Sequence, residues 1–191
     1  MAIAIKRQMR EPSVQYLAHN AITHGGMSIK RVVLHDTESH DTAGITDVKG
    51  IYDFWAGQGL EYGAHLVIDK DGNTGMSAFG FEEEMWHVGN FNGGSIGIEQ
   101  IGFASLTKLL WSRSHQKQII KVARWLAWFH HRYGVPLTHS LEGVCTHADV
   151  GAAGIDTSGH TDPGANYPLR TVLWLANRYV RKGGWSRTSP I

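Results

Sequence analysis

The sequence predicts one α/β domain, a central mixed β-sheet flanked by helices with a site at the strand ends, and three observations predict its architecture. Strand-like and helix-like segments alternate along the chain without long homogeneous blocks. The strand-like runs are short, apolar and end in polar residues, where sites sit in open α/β sheets. A length of 191 residues at 42% hydrophobic composition suits one sizeable core. Residues 1–182 are assigned to this domain and 183–191 to a tail or linker stub.

The first strand is Val32-Val-Leu34, an unbroken apolar run that delivers His35, Asp36 and Thr37 at its end. From Thr46, a plausible N-cap, Val48, Ile51, Tyr52 and Trp55 fall on one helical face closed by Gly57 or Gly59. His65 to Ile68 reads as a strand entering an Asp69–Asn73 turn, with another strand from about Asn73. Ser95 to Ile101 alternates, placing Ile96 and Ile98 on one face and Gly97, Glu99 and Ile101 on the other. The clearest helix lies between Ser114 and Gly134, with Ile119, Val122, Ala123, Leu126, His130 and Tyr133 at helical spacing. The segment from Cys145 to Gly164 reads as a glycine-containing loop. A last helix is expected from Pro168, as the first helical residue, through Val172, Leu173, Ala176, Tyr179 and Val180 to Gly183.

Charge and cysteine content narrow the function. With 18 Lys+Arg against 17 Asp+Glu there is no basic stripe, so nucleic acid is not an expected partner. One cysteine makes neither an internal disulfide nor a cysteine-rich zinc cage. After Met1 only four apolar residues precede the first charge, too few for a signal-peptide core or a membrane span. Synthesis in the cytoplasm without a signal peptide, no membrane insertion and a monomeric state are the expectations.

Twelve histidines stand out, and most have an ordinary reading. His19, His24, His40, His115, His130, His131 and His139 lie among polar residues and are assigned to the surface. His35, His65, His87, His147 and His160 sit at strand ends or in loops with glycine, where side chains converge. If Gly159 to Asp162 is extended, as Pro163 favours, His160 and Asp162 share a side. His35, His147 and Asp162 would supply two imidazoles and one carboxylate, a zinc set with an open fourth position. A Cys145/His147 hydrolase is the competing arrangement, set against a small buried thiol.

Six ordered blocks carry a resemblance spanning about Val32 to Val180. They are Val32-Val-Leu-His-Asp-Thr37, Ala64-His-Leu-Val-Ile-Asp-Lys-Asp-Gly72, Trp86-His-Val-Gly89, Ser95-Ile-Gly-Ile-Glu99, Thr146-His147 and His160-Thr-Asp-Pro-Gly164. The chain resembles the zinc-dependent N-acetylmuramoyl-L-alanine amidases of type 2, which share their fold with peptidoglycan recognition proteins and include many phage endolysins. That resemblance implies Zn²⁺ held by His35, His147 and Asp162, with Glu99 as catalytic acid/base. It also implies peptidoglycan as partner and action on the cell wall after release during host lysis. His160 stands where many members carry an oxyanion-stabilising lysine, and Ala64 where some carry tyrosine, with Tyr62 two positions earlier. Trp86, His87, Asn90 and Asn92 are candidate groove residues, and His65 is assigned a supporting role behind the ligands. A non-catalytic peptidoglycan-binding module and a cytoplasmic muropeptide-recycling amidase are the alternatives.

Overall fold

The structure, a computed structural model, describes residues 9–59 and 61–182; the expected tail at 183–191 and the Gly183 helix end lie outside them. Six strands form one sheet: β1 (Tyr16–Ala18), β2 (Arg31–Asp36), β3 (Leu66–Ile68), β4 (Thr74–Ser77), β5 (Ser95–Gln100) and β6 (Val144–Thr146). Their order is β1-β4-β3-β5-β2-β6, with β3 and β4 antiparallel through the Asp69–Asn73 turn and the other pairs parallel. The mixed sheet matches the expected fold class. Its helices are α1 (Ile45–Gly57), α2 (Lys108–Arg113), α3 (Gln116–Tyr133), α4 (His147–Ala152) and α5 (Leu169–Arg181). Among the described residues no helix is long and apolar enough to cross a membrane.

Period-two alternation sorts the buried strands into two faces. Val32 and Leu34 of β2, Leu66 and Ile68 of β3, and Ile96 and Ile98 of β5 pack into the large core with α3 and α5. On the other face Val67 packs with Val48 and Tyr52 of α1, while Val33 and Cys145 pack with Val150 of α4. Between these two smaller clusters the sheet presents His35 and Glu99, paired in register across β2 and β5. Covering one face fully with α3 and α5 leaves the opposite face, at the strand ends, free to carry chemistry.

Several elements differ from expectation for local reasons. The 145–164 segment is a loop only after α4. Thr146 caps that helix, its hydroxyl accepting from the Asp149 N–H at 3.1 Å while Asp149 accepts the Thr146 N–H at 2.8 Å. This reciprocal capping box, Thr-x-x-Asp, satisfies two helix-end donors. The N-cap of α1 is Gly44, not Thr46; it has no side-chain cap, and Asp47 instead accepts the backbone N–H and hydroxyl of Thr42. Pro168 sits at the N-cap of α5 rather than its first turn. The segment after Ser105 folds as two helices, with α2 capped by Thr107 ahead of α3. Strand β1 is three residues long, too short to show a period.

Candidate active site

The end of β2 supplies His35, the first residue of α4 supplies His147, and the turn ahead of α5 supplies Asp162. All three are buried. The His35 and His147 Nδ1 atoms are 3.1 Å apart, and each approaches the Asp162 carboxylate, at 3.1 and 3.2 Å respectively. Ligand atoms of the three lie within 4.8 Å of one another. Asp162 Oδ1 is buried with no hydrogen-bond partner. An orphaned carboxylate oxygen facing two imidazole nitrogens is costly unless a cation joins them, so the donor set fits a divalent transition metal.

The electrostatics favour the ligand forms. Burial pushes His35 below the ordinary imidazole value and so toward its neutral form, against the pull of Asp162. Burial would raise the Asp162 carboxyl, but His147 and His35 beside it more than reverse that and hold it below the usual carboxylate range. Glu99 is the contrasting carboxyl. Burial first, then the negative charges of Asp162 and Asp36, raise it well above the usual range. Its Oε2 is buried without a hydrogen-bond partner. The two carboxyls of one site are thus driven in opposite directions, Glu99 toward its neutral form and Asp162 toward its charged form.

A cavity of about 860 Å³ opens over these residues, lined by the triad, Glu99, His160 and the aromatic side chains of Phe54, Tyr62 and Trp86. The His160 ring stacks on His147 with centroids 4.5 Å apart, and its Nδ1 is 3.4 Å from Asp162 Oδ1. His160 and Asp162 therefore lie on one side. Trp86 is 40% exposed rather than core. His24, expected at the surface, stacks flat on Trp86 at 3.6 Å and bonds the Glu61 carbonyl through Nε2. Asn90 borders the cavity, and Asn92, which also lines it, uses its side-chain oxygen to accept the N–H groups of His87 and Val88.

The sequence profile of the N-acetylmuramoyl-L-alanine amidase family (Amidase_2) matches residues 25–165. The chain belongs to this family. Among solved structures, N-acetylmuramoyl-L-alanine amidase LysC from Clostridium intestinale superposes with a TM-score of 0.62 at 16% identity, over 87% of this chain and 99% of that one. Hydrolase AmiA from Staphylococcus aureus gives a TM-score of 0.62 at 18% identity, covering 93% and 89%. PGRP-SA from Apis mellifera gives 0.58 at 18% identity, covering 82% and 88%. These likenesses show a shared fold. No curated protein sequence matches the chain.

Other residues of this amidase-family domain take places that sequence spacing left open. Asp156, which no motif marked, puts Oδ2 2.6 Å from His147 Nε2. His87 lines the cavity and also sets Nδ1 3.0 Å from His35 Nε2. The space beside Gly97 is taken by His87, whose Cγ would be 2.7 Å from a Cβ at position 97. Cys145 faces the Val32 carbonyl, and burial pushes its thiol up to about 12, so it is an inert core residue rather than a nucleophile. His115 is buried, 7% exposed, against Trp111, contrary to its surface assignment. The Ser114 and Leu110 oxygens satisfy its Nδ1 there.

His65 sits behind this layer. Its Nδ1 accepts the Gly97 N–H at 3.0 Å, so its proton lies on Nε2, which donates to the Glu83 carbonyl at 2.9 Å. Burial lowers its pKa from 6.5 to about 4. Between those values the unfolded chain binds a proton and the folded one does not, so stability rises with pH across this window. The full contribution is about 3 kcal/mol, present above pH 6.5 and lost toward pH 4. A His65→Gln chain is expected to be less stable at neutral pH but to lose less on acidification. Urea unfolding at several pH values measures this, and an acid slope equal to that of the unaltered chain would remove His65 as its source.

Proposed function

We propose that the chain is a zinc-dependent peptidoglycan hydrolase that cleaves the amide between the lactyl group of N-acetylmuramic acid and the L-alanine of the stem peptide, in phage-mediated lysis of a host wall. The observation that carries this reading is the His35–His147–Asp162 donor set with a raised carboxyl, Glu99, beside it in one open cavity. His35, His147 and Asp162 would hold the metal. Bound zinc supplies Lewis acidity and a water acidified to a pKa of about 7.

Glu99 takes the proton of the attacking water on its carboxylate and passes it to the departing alanine nitrogen. A raised carboxyl suits both halves of that exchange near neutral pH, work typically worth about 10²–10⁴-fold. His160, at the cavity edge beside Asp162, offers an N–H to the developing oxyanion in the place of the family's lysine. Trp86, His87, Asn90 and Asn92 form one wall of the groove, and Phe54 and Tyr62 add exposed aromatic surface to the same cavity for the glycan and stem peptide.

A binding module without catalysis has no use for a complete donor set. Incubating purified cell wall with the zinc-loaded protein is expected to release new N-terminal L-alanine. Intact wall carrying bound protein would instead favour the binding module. Faster release from soluble muropeptides than from intact sacculi would favour a recycling role over lysis.

A further inference from the structure

A neutral imidazole carries one proton, and the hydrogen bond made by one ring nitrogen decides which nitrogen is left to bind a metal. The backbone carbonyl of Ser95 can only accept, so His87 Nε2, 3.3 Å away, is the N–H of that ring. His87 Nδ1 is then a lone pair. It lies 3.0 Å from His35 Nε2, which must be the donor, and this strips the proton from the remaining His35 nitrogen, Nδ1. On the other branch, the Asp156 carboxylate is acceptor-only and draws the proton of His147 to Nε2 at 2.6 Å. Asp156 is itself held by the backbone N–H of Ser158 at 3.3 Å and by its hydroxyl.

Each partner reaches its histidine over a glycine. A Cβ at position 97 would lie 2.7 Å from His87 Cγ, and one at position 89 would lie 2.9 Å from Asp156 Oδ1. Both distances are shorter than real Cβ contacts allow, and Gly89 also has φ +56°, a left-handed conformation that favours glycine.

We propose that His87 and Asp156 are positioning residues that hold His35 and His147 in their Nε2–H tautomers, so that both Nδ1 lone pairs converge with Asp162 on a divalent transition metal, and that Gly97 and Gly89 are the residues that admit them. The inference rests on the metal reading above. It makes the two ligands unequal. A carboxylate partner raises the basicity of His147, whereas His35 receives only orientation from a neutral ring.

The test is zinc affinity of the full chain, measured by competition with a chromophoric chelator, together with ¹⁵N NMR of the histidine rings in the zinc-loaded protein. Asp156→Ala is expected to weaken zinc binding by about 10–100-fold, and His87→Phe, which keeps a ring of similar size, by about tenfold. Asp156→Asn keeps an acceptor and is expected to recover part of the loss. The unaltered protein should show Nε2–H and metal-bound Nδ1 at both His35 and His147, a readout that needs no variant to fold. Metal-bound Nε2 at either histidine, or unchanged affinity in all three variants, would overturn the proposal while leaving the zinc reading standing. An unaltered protein that takes up no zinc would overturn both together.

Discussion

Glu99→Gln is expected to lower turnover of purified cell wall by about 10²–10⁴-fold while the protein keeps one zinc per chain. Glutamine has nearly the same shape and still hydrogen-bonds, but it cannot carry a proton between the attacking water and the leaving amine. Glu99 lies outside the donor set, so its loss leaves His35, His147 and Asp162 intact. Burial and the neighbouring Asp162 and Asp36 charges raise its carboxyl, so the base form is populated only above the usual carboxylate range. The rate of the unaltered protein should therefore climb with pH along an acid limb that is missing from the residual activity of the variant. Zinc content by atomic absorption and released N-terminal alanine measure the two halves. Turnover within threefold of the unaltered protein would take Glu99 out of the mechanism.

Asp162→Ala is expected to behave differently, losing stoichiometric zinc and cell-wall hydrolysis together. Two imidazoles alone do not complete a catalytic zinc set of three protein ligands. Asp162 is also the only carboxylate of the triad, so its removal leaves the His35 and His147 Nδ1 atoms, 3.1 Å apart, without the anion that both approach. Its folded pKa lies below the unfolded one, so at zinc-free sites the carboxylate stabilises the fold at neutral pH and this contribution disappears as pH falls through the folded value. Isothermal titration with zinc and the alanine-release assay separate this variant from Glu99→Gln, which should lose activity alone. Retained stoichiometric zinc in Asp162→Ala would remove Asp162 from the ligand set.

Much of the architecture was legible because it is written in short-range periodicity. Val32-Val-Leu34, the Asp69–Asn73 turn and the Gly134 helix end each depend on residues within a few positions, and all three appear as expected, with Gly134 at φ 78°. Helix α4 was legible in principle, since the Thr146-His-Ala-Asp149 spacing is a capping signature, but the nearby glycines concealed it. Asp156 could not have been chosen from spacing. Nothing near it in sequence distinguishes it from any loop aspartate, and its role arises where the loop after α4 passes beside Gly89. His115 was misplaced because its polar neighbours hid the packing of Trp111 against it.

The alternation of a strand is a property of its own backbone, so residues 95–101 alone were enough to turn Glu99 away from Ile96 and Ile98. Partners are a different matter. His35 and His147 meet across 112 residues because β2 pairs with β6, and Asp162, 127 residues from His35, is tied in by the Ala148 N–H bonding its carbonyl. The β2–β5 register sets Glu99 beside His35, and a slip of one residue would send Glu99 to the opposite face. Side-chain direction follows from local sterics, while convergence within a few ångströms requires the packed sheet and its helices to set long-range distance.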